Sequence, residues 1–357
     1  MFLKDFHYKI PTWELTLSDL QPRNLFVGKN SVGKSKAIRA LARSAGIIMQ
    51  SQDVRQLSVR VDMTLLDGKD VMQYHFSYIK GEVQSEKMTL SQSNNSVTEY
   101  ITRSKDIASL GEEVVNVPKG KLTIHVRRDT VLYPYIEKLF SWAQGIKGLS
   151  FNEIDSDEDN GKDAWLAGAG ISLYEMVEAV KKKELTVVRR MREVGYPLRD
   201  LDVFAPKGYP DIRFVVISEE NVAVPLFSSS ISKGMLRTLY ILLLLEYMLQ
   251  KEKPTVLLID DFCEGLDYSR SIAVGRMVYD FCKDSGIQLI TASNDSYLMD
   301  VVSLDCWHIL YREGGEVRTI NKYNNPKIFE DFEFTGLNNF HLFSSDFVSR
   351  HLKGKKK

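Results

Sequence analysis

The chain has 357 residues, 44% of them hydrophobic and 26% charged, which suffices for one large or two ordinary domains with a buried core. Lys plus Arg and Asp plus Glu both total 47, so no net field draws the molecule to nucleic acid or membrane, although a local basic patch stays open. The longest apolar stretch, 239–249, is too short to cross a bilayer, the first residues lack a signal-peptide pattern, and the three cysteines show no metal-ligand spacing, so a reducing cytoplasm is the expected location.

The N-terminal segment predicts two strands followed by a strand–loop–helix unit. Alternating apolar residues indicate strands at Phe2–Ile10 and Trp13–Leu17, and residues 25–27 form a third, short apolar run. A helix is predicted at 36–48. Between this run and the helix, residues 28–35 read G-x-x-x-x-G-K-S.

This loop is a complete phosphate-binding motif. Gly28 and Gly33 let the backbone curl so that N–H groups point at phosphates, Lys34 supplies a positive charge, and the Ser35 hydroxyl can bind a metal ion. The following helix would add the dipole of its N-terminus. The loop therefore predicts a nucleoside triphosphate site, with ATP and Mg²⁺ as the ligands. The nucleotide-binding residues predicted in this segment are Gly28, Asn30, Ser31, Gly33, Lys34, Ser35 and Lys36.

Residues 58–90 predict an antiparallel meander, with strands at 58–66, 71–79 and 82–90. Turn signals such as Asp67-Gly68 separate the strands. Such a meander is not part of a parallel sheet, so we expect a separate antiparallel β subdomain beside the nucleotide-binding core.

The region 91–211 is predicted to be a mostly helical insertion. Amphipathic patterns indicate helices at 133–146 and 164–191. The acidic run that starts at Asp155 superficially resembles a calcium loop, but it has Asn160 where that loop needs glycine and Leu166 where it needs glutamate. We interpret it as a solvated linker.

The second half predicts a parallel sheet, because β character returns at 212–217 and strands and helices then alternate through residue 310. The buried run 255–259 ends in two carboxylates. Asp260 is expected to hold Mg²⁺ beside the phosphate loop, and Asp261 to face the attacking water.

A second anion site is predicted where a long helix, 235–250, begins. Ser232 is a good N-cap, and the free N–H groups beside Ser232 and Gly234 can bind an anion. The site lies too far along the fold to reach the chain's own phosphate loop. We therefore expect it to serve the nucleotide of another chain.

These motifs resemble those of an ABC-type ATPase of the AAA family. The phosphate loop, SISKG at 230–234, the strand ending in Asp260 and EGLD at 264–267 are similar, in this order, to the family's phosphate loop, signature motif, Walker B strand and D-loop. The opening FLKDF with the GKN of the loop resembles the soluble branch, which holds SMC-like and overcoming-lysogenization-defect (OLD) ATPases and small anti-phage defence ATPases. The resemblance covers residues 1–90 and 212–322.

The resemblance implies a fold and a mechanism. The fold is α/β: a phosphate-loop ABC-type core with an antiparallel β subdomain and an inserted helical region. Two or more copies would share ATP sites, each formed by one chain's loop and the other's Ser232 and Gly234. Hydrolysis or product release would open this assembly and move whatever the insertion holds, and the nucleotide-dependent dimer would control a separate effector protein. Nucleic acid is a possible partner and a membrane is not expected.

Three positions depart from the family pattern. Asp261 stands where glutamate is usual, which withdraws the carboxylate by about 1.5 Å. Asn294 occupies the place of the switch histidine; an amide can hydrogen-bond a γ-phosphate but cannot take up a charge or a proton. Lys233 replaces the first signature glycine. With Asp261, Lys34 and Asn294 as the expected catalytic residues, we predict slow turnover, below about 10 s⁻¹.

Several weaker features leave alternatives open. Gln73 or Gln84 could be the family's Mg²⁺-sensing glutamine, but surface positions in strands are favoured. Glu264 could replace Asp261 as the base or be structural. The six histidines form no motif with Asp, Ser or Cys in the sequence. A phenylalanine-rich tail either folds back over the core or docks a partner; its aromatic residues are Phe329, Phe332, Phe334, Phe340, Phe343 and Phe347.

The expected organisation has four parts. An N-terminal lobe with the phosphate loop spans 1–90, the insertion 91–211, a C-terminal lobe with the signature and Walker B motifs 212–325, and the tail 326–357. Two function classes stay open: an ATPase whose dimer clamps or senses DNA or a foreign protein, and a scaffold that binds ATP without hydrolysing it. A transporter subunit is a third, less favoured class.

Overall fold

A computed structural model describes residues 1–93, 96–151, 172–181, 184–208, 213–251, 255–345 and 347–354. Its strands are β1 (Phe2–Ile10), β2 (Trp13–Leu17), β3 (Arg23–Val27), β4 (Val59–Asp67), β5 (Asp70–Ile79), β6 (Glu82–Ser91), β7 (Val97–Ser104), β8 (Ile107–Leu110), β9 (Glu113–Val115), β10 (Ile146–Ser150), β11 (Leu198–Phe204), β12 (Phe214–Glu219), β13 (Leu226–Phe227), β14 (Val256–Asp260), β15 (Gln288–Ala292), β16 (Trp307–Glu313) and β17 (Glu316–Ile320). Its helices are α1 (Lys34–Ile48), α2 (Thr123–Val126), α3 (Pro134–Gln144), α4 (Leu173–Ala179), α5 (Glu184–Glu193), α6 (Lys233–Lys251), α7 (Tyr268–Ser285), α8 (Ser296–Val301), α9 (Pro326–Glu333), α10 (Asn339–Ser344) and α11 (Phe347–Gly354).

One half of the main sheet is the predicted parallel core. Its strands run β10-β14-β15-β3-β16, and every neighbouring pair is parallel. All five residues of β14 and of β15 are buried, as expected for strands covered on both faces. The loops after β3, β14 and β15 therefore leave the sheet at the same edge, and they carry the predicted phosphate loop, Asp261 and Asn294.

The other half is an antiparallel lobe that is larger than predicted. A parallel pairing of β17 with β2 joins it to the core, and β1, β4, β5 and β6 form the predicted meander. The sheet then continues through β7, β8 and β9, so residue 90 is not a structural boundary. The fold class, α/β with a phosphate-loop core and an antiparallel β subdomain, is confirmed.

The expectation of a mostly helical insertion is wrong for the described part of 91–211. Strands β7 to β9 extend the lobe, β10 joins the parallel core, and β11 lies in a separate three-stranded sheet with β12 and β13. Pairing with β6 and burial of Ile101 stabilise β7 although its sequence is polar. The helix predicted at 133–146 is α3, while α4 and α5 are the described parts of 164–191; the acidic run lies outside the described residues.

Helix α2 ties the far end of α1 to the antiparallel lobe. His125 Nε2 donates to Ile47 O at 3.0 Å and Ile48 O at 3.1 Å, while its Nδ1 accepts from Leu122 N. Burial lowers the pKa of His125 to about 4, which keeps the imidazole neutral, as this pattern requires. The buried carboxylate of Glu86 in β6 accepts from Thr123 N at the start of α2.

The C-terminal tail folds back over the core. Phe329 and Phe332 are buried, and Phe340, Phe343 and Phe347 pack against the same cluster. Only Phe334 among the six is fully outside, at 91% exposed. The packing interpretation therefore holds for most of the tail.

Candidate functional site

The loop after β3 has the backbone that phosphate binding needs. Gly33 has φ 115 and is the N-cap of α1, where no side chain occupies the free N–H groups. A Cβ on Gly28 would lie 2.7 Å from Val32 Cγ1, so the loop closes tightly on itself. Ser31 has φ 64, a conformation that non-glycine residues adopt mainly in tight loops. The result is a ring of N–H groups at the helix N-terminus.

Lys34 lies across this ring. Its Nζ donates to Gly28 O at 2.7 Å, and the residue is only 7% exposed. Burial lowers the pKa of Lys34, while Asp261, Asp260 and Glu264, in that order, oppose the shift. The amine is thus held against the first residue of the loop.

Ser35 and Asp260 are brought together, as predicted for a metal site. Burial raises the pKa of Asp260 to about 6, and a hydrogen bond with Ser35 opposes this shift. A hydroxyl and a carboxylate are the hard oxygen ligands that Mg²⁺ takes beside phosphates. Among the described residues no cluster of three or more His, Cys, Asp or Glu could hold a metal alone, so the remaining ligands would come from phosphate and water.

Asp261 and Asn294 line the same pocket. Asn294 Nδ2 donates to Asn30 Oδ1 at 3.2 Å, which joins the loop after β15 to the phosphate loop. Asp261 has φ 53, a left-handed conformation that Asp tolerates because its short side chain bonds locally. Glutamate fits this backbone less well, which gives a physical reason for aspartate at this position.

The pocket is larger than the motif alone. Its volume is about 960 Å³, and it extends from the loop along α1 to the hairpin between β1 and β2. Sequence reasoning missed the residues there. The spacing Ser35, Arg39, Arg43, one turn apart on α1, could have indicated the two arginines. The missed residues lining the pocket are Tyr8, Ile10, Trp13, Arg39, Ala40, Arg43 and Gln52.

Two contacts order the rim of this pocket. Lys36 Nζ lies 4.4 Å from the centroid of the Trp13 ring, a cation–π contact across the hairpin. Arg312, near the end of β16, donates from Nη1 to Ser31 O at 3.1 Å. Neither contact has a local sequence signal, because each joins segments that only the sheet brings together.

The second predicted anion site has the expected local structure but is separate from the pocket. Ser232 Oγ accepts from Met235 N at 3.3 Å, the predicted N-cap bond of α6. A Cβ on Gly234 would lie 3.1 Å from Leu266 Cδ2 and from Tyr196 Oη. Neither Ser232 nor Gly234 lines the phosphate-loop pocket.

The glutamine candidates lie elsewhere. Gln73 is exposed in β5 and lines a pocket on the outer face of the antiparallel lobe, and Gln84 is in β6. Neither lines the phosphate-loop pocket, which favours their interpretation as surface residues.

The statement that the histidines form no motif holds only along the sequence. In space, His75 Nδ1 donates to Asp62 Oδ1 at 2.7 Å and its Nε2 lies 2.7 Å from Ser85 Oγ. His7 lies between Asp62 and Glu14 at 3.1 and 2.9 Å. The neighbouring pocket on this face is lined by His7, Asp62 and His75 but not by Ser85, so substrate and nucleophile would not meet there. The cluster joins five strands of the sheet, β1, β2, β4, β5 and β6.

Fold and site together form a strand–loop–helix unit with the phosphate-loop motif, beside a parallel sheet. No helix in the described ranges is long and apolar enough to span a membrane. No family model and no curated protein matches the chain.

Solved structures that resemble the chain include SMC head domains. The SMC head domain from Thermotoga maritima is 12% identical over 90% of this chain and 99% of its own, with a TM-score of 0.48. The SmcHead bound to the C-winged helix domain of ScpA is 10% identical over 90% and 98%, with a TM-score of 0.49. The Smc head with an extended coiled coil bound to the C-terminal domain of ScpA, derived from Pyrococcus furiosus, is 9% identical over 93% and 99%, with a TM-score of 0.46.

Proposed function

We propose that the chain binds ATP with Mg²⁺ at residues 28–35 and hydrolyses it slowly. One observation carries this proposal. A lysine and a serine of the loop lie close to two carboxylates at the same edge of the sheet. Lys34 would bind the β- and γ-phosphates, Ser35 and Asp260 would hold Mg²⁺, and Asp261 would accept a proton from the attacking water.

Slow turnover follows from two side chains. Asp261 is one methylene shorter than the usual base, and its left-handed backbone fixes where the carboxylate can reach. Asn294 Nδ2 uses one of its two N–H groups on Asn30 and can donate the other to a γ-phosphate, but the amide carries no charge to stabilise the transition state.

The second anion site supports a shared assembly. Ser232 and Gly234 are at the start of a 19-residue helix and outside the chain's own pocket, so we propose that they complete the ATP site of a second copy. The resemblance to defence ATPases extends the proposal: this ATP-dependent pairing, in the cytoplasm, would sense or clamp DNA or a foreign protein and control a separate effector against phage.

The first test is ATP binding and turnover by the purified chain. Lys34→Ala should weaken ATP binding at least about 100-fold, because it removes the charge at the phosphates. Asp261→Asn should bind ATP normally, lose turnover and accumulate an ATP-bound dimer. Lys283→Ala, on the exposed side of α7, is the matched control and should behave as wild type. Undiminished ATP binding by Lys34→Ala would refute the site.

A mixing experiment tests the shared site. Lys34→Ala and Ser232→Arg should each be inactive alone. Mixed in equal amounts, they should recover up to about a quarter of wild-type turnover, since half of the dimers are mixed and one of their two sites is intact. No recovery, with both variants folded and mixed dimers detected in the presence of ATP, would contradict sharing between copies.

The alternative function is an ATP-dependent scaffold. Asp261 and Asn294 favour it, because neither matches an efficient hydrolytic site. Dimers that form with ATP and persist without release of phosphate would establish this alternative. Capture of an effector by wild type with ATP, and not by Lys34→Ala, would support control of a partner under either function.

A further inference from the structure

A second cavity lies on the side of the phosphate loop that faces the C-terminal tail. Its volume is about 450 Å³. Four elements enclose it: the loop from Gly28 to Val32, the end of β16, helix α10 and helix α11. Leu342, Phe343 and Val348 of the tail line it, and Leu342 and Val348 are themselves almost fully buried.

The lining indicates the chemistry of a ligand. The apolar part of the lining comes from Val32, Leu310 and the three tail residues, while Arg312 and Lys29 supply cationic groups on the side of the loop. Two carbonyls fix its guanidinium: Nε donates to Gly314 O at 2.8 Å and Nη1 to Ser31 O at 3.1 Å. No carboxylate of the described residues pairs with Arg312. An apolar cavity of this size with one fixed arginine matches a small organic anion that has an apolar body.

We propose that this cavity is a regulatory site for a small apolar carboxylate or sulfonate, and that its occupancy is coupled to nucleotide binding. The coupling, but not the binding, rests on the proposed ATP function.

The coupling has a direct physical route. Asn30 and Ser31 line both this cavity and the phosphate-loop pocket, so the same loop separates the two sites. Arg312 would bind the anion and already holds Ser31 O. A ligand that pulls the guanidinium changes the position of the loop, and by linkage the nucleotide must change the affinity for the ligand by the same factor.

The binding test uses anilinonaphthalene sulfonate (ANS), an apolar aromatic sulfonate that fluoresces when bound. The full chain should bind one ANS. Arg312→Gln should weaken it at least fivefold, whereas Arg318→Gln, an exposed arginine of β17 outside the cavity, should stay within twofold. Val348→Phe, which fills the cavity, should abolish the signal, and Phe334→Ser should not. Equal effects of the two arginine variants would overturn the site.

The coupling test adds Mg-ATP to the same titration. ATP should change the ANS dissociation constant at least threefold without lowering the amount of ANS bound at saturation. In Lys34→Ala, addition of Mg-ATP should leave that variant's own ANS dissociation constant unchanged. Competitive displacement of ANS by ATP would place it in the nucleotide pocket and overturn the proposal. If wild type does not bind ATP, the proposed function fails while the arginine comparison still decides the cavity.

Discussion

Gly28→Ala tests how tightly the phosphate loop is packed. The new Cβ would lie 2.7 Å from Val32 Cγ1 and 3.3 Å from Leu310 O. Val32 is β-branched and has few rotamers, and Leu310 O is backbone, so neither neighbour moves away without cost. We expect the free energy of unfolding to fall by about 1–3 kcal/mol, the usual cost of overpacking.

A double-mutant cycle isolates the contact. Val32→Ala alone should cost about 1–2 kcal/mol for its lost methyl groups. In the double variant the closest contact is gone, so Gly28→Ala should cost at least about 1 kcal/mol less than in wild type. Urea unfolding at neutral pH without nucleotide measures all four corners of the cycle.

Two further results complete this test. Gly28→Ala should weaken ATP binding about tenfold because the loop is forced open, and Val32→Ala should restore part of the affinity. Gly315→Ala is the control, since its Cβ would lie 3.4 Å from Thr12 O, an ordinary contact. Strict additivity of the two substitutions would refute the clash as the cause.

Three other substitutions test the pKa shifts and the tail. Asp260→Asn should raise the free energy of unfolding at pH 8 by up to about 3 kcal/mol, because burial raises the pKa of Asp260 from 3.8 to about 6 and its stabilising contribution is lost as pH rises through that value. The gain should disappear by pH 3, and a less stable variant at pH 8 would contradict it. Burial alone would raise the pKa of Asp62, but the hydrogen bonds from His7, His75 and Arg60 outweigh it and leave the pKa lowered. Asp62→Asn should therefore reduce the free energy of unfolding most at neutral pH and progressively less in acid; a constant reduction from pH 7 to pH 2 would refute this. Phe332→Ala should cost about 3–5 kcal/mol in urea unfolding, and Phe334→Ala, fully exposed, less than about 0.5 kcal/mol; similar costs would contradict the packing of the tail.

Local patterns predicted the core of the site. The loop motif, the strand before it and the helix after it lie within about 25 residues, where spacing and propensity decide the structure. The same holds for β14, whose continuous apolar run ends at the carboxylates. Helix α1 begins at Lys34, two residues before the prediction, because the loop glycine itself is its N-cap.

The rest depends on pairing between distant segments. The polar strand β7 is stable only beside β6, and the short run of β10 reads equally well as part of a helix until β14 pairs with it. The hydrogen bond from Arg312 to Ser31 joins residues 281 positions apart. No window of sequence contains both partners of such contacts, so the cavity behind the loop could not be predicted.

Helix α2 fixes the C-terminal end of α1, the helix that begins at the phosphate loop. Helix α1 has 15 residues and is therefore about 22 Å long, with the phosphate loop at one end and His125 at the other. A tilt of α1 by about 5° at the loop would move its C-terminal end by about 2 Å. Because Glu86 of β6 accepts a hydrogen bond from Thr123 N of α2, this displacement would reach the middle of the antiparallel lobe. A tilt at the phosphate loop would therefore be felt at β6, a helix length away.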